Sequence, residues 1–224
     1  RSSAASDVYK RQASFLRRFF TMIFTTENLP SRDIYRMMVS LIAPRPIAWV
    51  STRDRGGRSN LAPYSFFNGV GSNPPCLMFA PANRSDGMKK DTLLNIEQSN
   101  EFVVNLVSHS QSESMNQTAA EYPQDVSEFE ACGVESTPSV HIDVPRVSGA
   151  VASFECEAMQ ILHLGEGPGG ANLVIGRILA IHIQDELVDD QGFPLAEQLD
   201  LIGRLGGSSY VRVSDRFDLK RPKL

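Results

Sequence analysis

The 224-residue chain has no run of 18 apolar residues, which excludes the signature of a membrane-spanning helix. It has three cysteines, Cys76, Cys132 and Cys156, far apart and with no C-x-x-C pair. That excludes a disulfide framework and fits a reduced, cytoplasmic protein. The four histidines, His109, His141, His163 and His182, show no paired metal-ligand spacing, so no metal is expected. His163 and His182 lie in strand-like runs and read as structural. His109 ends a strand just before a polar loop. A G-x-S-x-G elbow is missing, which leaves a hydrolase triad without support. The phosphate loop G-x-x-x-x-G-K-[ST] is missing too. Heptads, solenoid periods and low-complexity tracts are also lacking.

Positive charge is scarce once the first residues are set aside. "RSSAASDVYKRQ" is polar and aperiodic, and resembles a translated adapter tail more than natural protein. "ASFLRRFFT" looks like a targeting signal, but Arg17 and Arg18 break its apolar stretch and no small-residue cleavage site follows. Residues 1–21 are therefore read as a non-native or disordered tail, Met22 as the natural start, and residues 22–224 as one domain. The tail holds five basic residues and one acid. Taking them from the chain totals of 22 and 26 leaves 17 basic and 25 acidic residues, net −8. An acidic chain without a basic stripe is a poor partner for nucleic acid.

What is present is strand-rich. "PIAWVST" reads as a first strand, rich in β-branched and aromatic residues. Gly56-Gly57 marks a hairpin turn, and "NLAPYSFFNGVGSNPP" is the return strand. "PCLMFAP" reads as a strand buried on both faces. "KKDTLLNIEQSN" starts a helix at Asp91 or Thr92, with Leu93, Leu94 and Ile96 facing inward. "EFVVNLVS", "ASFECEAMQIL" and "LVIGRILAIHI" follow as strands, and Glu155 and Glu157 share a face read as solvated. A helix is expected over "PLAEQLDLIGRL", then "GGSSYVRV". Helices fall between groups of strands. That predicts a mainly β antiparallel barrel or sandwich with peripheral helices.

"GEGPGG", Gly165 to Gly170, matches the dinucleotide fingerprint literally. That fingerprint must open a helix, whereas strand-like "ANLVIGRILAI" follows, so a hairpin loop is expected. Trp49 and the aromatics at 64, 66 and 67 could stack on bases. Without a basic patch, core packing or a planar ligand is the better use.

"APRPIAWVST" paired with "NLAPYSFFN", then "KKDTLLNI", "EFVVNL" and "GRLGGSSYVRVSDRFDLKRP", occur in that order from about Leu29 to Pro222. This set resembles the flavin reductase-like family, the FMN-binding split barrels that include flavoredoxin. The resemblance implies a six-stranded antiparallel split β-barrel, a homodimer, and non-covalent FMN near the subunit interface. It implies hydride transfer from NADH or NADPH, with a possible downstream electron acceptor. A non-enzymatic flavin electron carrier is the alternative, and a haem-binding split barrel with His109 as axial ligand a remoter one.

Within that resemblance, Ala62, Pro63, Tyr64, Ser65 and Phe66 would supply an apolar wall and fixed polar groups for an isoalloxazine. At the phosphate end, Thr92 would offer a hydroxyl and helix-start amides, and Lys90 or Lys89 a cation. Arg84 meets phosphate or solvent. Ser51 and Thr52, ending the first strand, are further candidates. Tyr210 would complete the subunit interface or the flavin site. No residue reads as a nucleophile or general base, which agrees with chemistry carried by a cofactor.

Overall fold

The computed structural model describes residues 22–223, so the reading of residues 1–21 lies outside the described residues. The chain divides into two compact units, one ending at Val39 and one running from Ser40. Helix α1 (Ser31–Leu41) begins at Ser31 and stops before Pro44 and Pro46. Proline lacks the N–H and the freedom that another helical turn needs.

The second unit is built on one antiparallel sheet. Its strands are β1 (Ala48–Arg53), β2 (Ser59–Tyr64), β3 (Phe67–Ser72), β4 (Pro75–Phe79), β5 (Glu101–Leu106), β8 (Ala152–His163) and β9 (Asn172–Ile183). Short pairs β6 (Ser136–Thr137) with β7 (Arg146–Val147), and β10 (Ile202–Arg204) with β11 (Tyr210–Arg212), stand apart. Helices α2 (Asp91–Ser99), α3 (Ser112–Gln117) and α4 (Glu128–Ala131) lie between strands.

The order β2-β1-β5-β8-β9-β4-β3 puts β2 and β3 at opposite edges. Yet only Ser65 and Phe66 separate them in the chain. The sheet must curl until its edges approach, and no ladder of hydrogen bonds closes the seam. That is a split barrel. It has seven strands, not the six expected, because "NLAPYSFFNGVGSNPP" is two strands and not one return strand. β2 pairs with β1, and β3 pairs with β4.

Alternation along β1 serves two cores at once. Ala48 and Val50 join Tyr64, Leu77, Phe79, Phe102, Val104 and Val174, with Leu93 and Ile96 of α2 plugging that side. Ile47 and Trp49 join Leu61, Val107, Met115, Phe129 and Ile202 on the other face. Trp49 is fully buried and donates its indole N–H to the Thr118 hydroxyl at 2.9 Å, so it is a core residue, not a stacking platform.

Three local readings change, and one holds. β4 fully buries only Leu77 and Phe79; it alternates, because its other face is only partly covered. Glu155 is fully buried, accepting from the Val140 and His141 amides at 2.7 Å each. A bulge at Glu155/Cys156 re-aims it, and the loop after β6 folds over it. No helix forms at "PLAEQLDLIGRL". Instead the His109 amide donates to the Asp200 carbonyl and the Ile202 amide to that of Val107, pulling the segment onto the end of β5 as β10. Tertiary pairing here overrides a helical pattern. "GEGPGG" is the β8–β9 hairpin loop, as its strand-like continuation requires.

Candidate functional site

Two clefts meet along the edge strand β2. Asn60, Ala62, Pro63, Tyr64, Lys90 and Thr92 are among the residues that line the first, beside the loop of residues 118–122. Ser65, Met115, Asn116, Arg204 and Tyr210 line the second, about 180 Å³ in volume. Pro63, Tyr64 and Ala119 belong to both walls, so the clefts form one elongated groove. β2 can serve as the wall because, among the described strands, it pairs with β1 alone. On that open edge the missing N–H of Pro63 costs no ladder bond.

The start of α2 forms one end of the groove. Lys90 has extended backbone (φ −72°, ψ 152°), and its carbonyl accepts the first helical bonds, from the Leu93 and Leu94 amides. Lys89 pairs with Glu97 at 2.6 Å, so Lys90 is the lysine left to face the cleft. Arg84 also lines it, held by Asp91 at 3.1 Å.

Behind this end lies a polar network. Glu128 is buried; both its oxygens accept from Asn60 Nδ2 at 2.8 Å, and one accepts from the Leu61 amide at 2.9 Å. Burial pushes the Glu128 carboxyl above its usual range, opposed by those bonds. Asn60 Oδ1 accepts the Thr92 hydroxyl at 2.8 Å. Thr52 is fully buried; its hydroxyl donates to Asn60 Oδ1 at 3.4 Å and accepts from Asn95 at 3.0 Å.

Tyr64 lies between the two ends. Its hydroxyl is buried and has no hydrogen-bond partner among the described residues. Burial drives its pKa well above the ordinary phenol value, against the pull of the neighbouring Thr92 hydroxyl. At the far end the Arg204 guanidinium sits 4.4 Å over the Tyr210 ring. The Tyr210 hydroxyl donates to Asn116 Oδ1 at 3.2 Å.

The structure thus brings together Ala62, Pro63, Tyr64, Lys90 and Thr92, and places Ser65 and Tyr210 at the adjoining end. Tyr210 packs on its own chain. Thr52 supports the site from behind. Ser51 does not reach it: fully buried, its hydroxyl donates to the Pro145 carbonyl at 2.6 Å. The Phe66 ring lies 5.8 Å from the Arg45 guanidinium and lines neither cleft. His109 is exposed and lines neither cleft, which leaves a haem without that ligand.

Sequence reasoning missed Asn60, Glu128, Thr118 and Arg204. Asn60 opens the quoted segment, where its polarity among apolar residues is a signal. Glu128 lies in a polar, helix-prone stretch and offers none.

Comparison with known proteins agrees with this architecture. The family model of the flavin reductase like domain matches residues 40–206. The chain is 33% identical to nitrilotriacetate monooxygenase component B from Bacillus cereus, over 89% of this chain and 99% of that one, with a TM-score of 0.84. It is 34% identical to the 2-nitrobenzoate 2-nitroreductase NbaA of Pseudomonas fluorescens, over 90% and 96% of the two chains, with a TM-score of 0.81. A protein with a split barrel domain from Shewanella frigidimarina, assigned to the flavin reductases, is 27% identical over 90% and 100%, with a TM-score of 0.77. The fold is that of the split-barrel flavin reductases. The chain belongs to the flavin reductase-like family.

Proposed function

We propose that the groove holds FMN non-covalently and that the protein is an FMN-dependent oxidoreductase of the flavin reductase type, taking hydride from NADH or NADPH. One observation carries this reading: the groove joins a lysine-bearing helix start to an aromatic and arginine-bearing end, with the unpartnered Tyr64 hydroxyl between them. A flavin nucleotide has a flat apolar ring edged with acceptors, a polyol chain and a phosphate. Ala62, Pro63 and Ala119 fit the apolar part, Tyr64 offers a donor to a ring or chain acceptor, and Lys90 offers a cation to the phosphate.

Bound there, FMN would supply the hydride and electron chemistry, and the chain would supply position. Ser65 is well suited to orienting a ligand, since Arg45 Nε donates to its hydroxyl at 3.2 Å. No described residue in the groove combines a nucleophile with a base, which suits a site whose cofactor reacts. Two of the similar proteins are a monooxygenase component and a nitroreductase. A separate electron acceptor is therefore part of the proposal. So are a cytoplasmic location, in a chain whose described helices are all too short or too polar to cross a membrane, and a homodimer. Leu179 and Ile181 of β9 are 40% and 57% exposed, apolar surface that a second copy would cover.

The reading is tested by the absorption spectrum of the purified protein, a fluorescence titration with FMN, and oxidation of NADH and NADPH with FMN present. FMN binding with nicotinamide oxidation supports it. Tight FMN binding without oxidation of either nicotinamide points to an electron carrier. No flavin binding overturns it. Light scattering at twice the monomer mass supports the dimer, and a monomer that binds FMN tightly rejects it.

A further inference from the structure

The direction of each hydrogen bond behind the groove is fixed by Glu128. A carboxylate only accepts, and both Glu128 oxygens lie 2.8 Å from the Asn60 side-chain nitrogen. Asn60 must therefore turn its NH₂ toward Glu128, which leaves Oδ1 facing Thr92 at 2.8 Å. An amide oxygen cannot donate, so Thr92 commits its one proton to the wall behind it. Toward the cleft, Thr92 has only lone pairs.

A phosphate presents acceptors, and a Thr92 oxygen whose proton is turned away repels it. The local charges agree. Arg84, Lys90, Asp91, Glu121 and Glu128 line this cleft, two basic residues against three acidic. Arg84 is already paired with Asp91. Among the described residues lining the cleft, Lys90 is left as the basic side chain without an ion-pair partner.

We infer that Glu128, acting through Asn60, makes Thr92 a hydrogen-bond acceptor toward the groove, so that this stretch of wall reads the hydroxyls of a ligand's polyol chain and not its phosphate. The inference rests on the flavin reading above. It reassigns Thr92 from the phosphate-donor duty expected at a helix start, and gives the phosphate to Lys90. Glu128 is then a positioning residue: its oxygens hold Asn60 and the Leu61 amide, and its effect reaches the ligand through Thr92.

Three flavins separate the possibilities: FMN, riboflavin, which lacks the phosphate, and lumiflavin, which lacks the polyol chain too. Thr92→Val should weaken FMN and riboflavin by one common factor, about five- to tenfold for a lost neutral hydrogen bond, and leave lumiflavin within about twofold. Thr92→Ser keeps the hydroxyl and should bind all three as the wild type does. A loss confined to FMN would put Thr92 on the phosphate and overturn the inference. A loss shared by lumiflavin would mean a damaged wall and overturn it equally. Glu128→Gln sets a donor against the Asn60 NH₂, so Asn60 turns over and its oxygen leaves Thr92. This variant should repeat the Thr92→Val pattern. The double variant should be no weaker than the weaker single one, because both break one contact. Additive losses would place the effect of Glu128 elsewhere. Should Glu128→Gln not fold, Asn60→Ala breaks the same chain one residue nearer the ligand and must give the same pattern. Wild-type protein that binds none of the three flavins overturns the flavin reading itself. Wild-type binding with a riboflavin-sparing Thr92→Val overturns only this inference.

Discussion

Arg45 donates from Nε to the Ser65 hydroxyl at 3.2 Å, and that bond ties the entry to β1 to the two-residue crossing between the sheet's edges. The same buried guanidinium donates to the Ile42 carbonyl at 2.7 Å and the Leu205 carbonyl at 3.1 Å. Its backbone exchanges two bonds with Arg204, at 2.9 and 2.8 Å, which seats the β10–β11 hairpin and with it Tyr210. Arg45 therefore joins both sides of the groove's far end.

Arg45→Met keeps the stem and removes the donors. Two carbonyls and a hydroxyl lose a partner, so the cost should be about 2–4 kcal/mol in urea unfolding. Ser65 also loses its anchor, and FMN affinity should fall in the folded fraction. Unchanged stability would show that water replaces the guanidinium at all three sites.

The barrel was legible in the sequence because its strands carry strong local patterns. β1, β5 and β9 are rich in β-branched and aromatic residues, β8 carries an apolar/polar alternation, and these patterns survive packing. The split of the return strand was not legible. Tyr64, Ser65, Phe66 and Phe67 look like continuous strand, and only the pairing of β2 with β1 and β3 with β4 breaks them. The "PLAEQLDLIGRL" segment misled for a related reason: its helical spacing is local, while the bonds that recruit Ile202 come from Val107, far away in sequence. At the site, Lys90, Thr92 and the Ala62–Ser65 stretch were visible through family motifs. Glu128 was not, because a carboxylate becomes structural only when a fold closes over it.

Gly176 shows how tightly the barrel interior is filled. A Cβ there would lie 2.3 Å from Phe102 Cζ and 2.8 Å from its Cε1. Phe102 is fully buried against Phe79, ring centres 5.4 Å apart, so it has little room to swing away. Gly176→Ala should destabilise by about 1–3 kcal/mol through overpacking, seen as a lower melting temperature. Phe102→Leu in the same chain should recover part of the loss. Absence of any recovery would place the strain elsewhere.

Two buried glutamates should act oppositely as pH falls. Burial alone would raise Glu155, but the Val140 and His141 amides and His182, at 2.5 Å, outweigh it and hold its pKa below the ordinary value. A depressed folded pKa gives stability that is complete above the unfolded value, about 4.3, and is lost as pH drops through the lower folded one. Glu128 is raised, so the folded state gains relative to the unfolded as pH falls from its folded pKa toward about 4.3. Glu155→Gln should cost about 1.5–3 kcal/mol at pH 7 and flatten the acid limb of the stability curve. It should also speed hydrogen exchange at the Val140 and His141 amides. An acid limb as steep as in the wild type would assign it to other carboxylates.

Tyr64 sets stability against binding. Its ring is core, 5.2 Å from that of Phe79, but its buried hydroxyl has no hydrogen-bond partner among the described residues. A buried polar group left unpaired costs about 1–3 kcal/mol, and removing it leaves the apolar contacts intact. Tyr64→Phe should therefore match or exceed the wild type in melting temperature without ligand. FMN changes the balance, because a flavin acceptor at this point of the groove would give the hydroxyl its bond. Tyr64→Phe should then bind FMN about three- to tenfold more weakly, as expected for one neutral hydrogen bond, and FMN should raise its melting temperature less than it raises that of the wild type. The two measurements must move in opposite directions. A variant that loses melting temperature without ligand would mean that the hydroxyl has a partner within the protein. One that keeps full FMN affinity would mean that the flavin does not meet Tyr64.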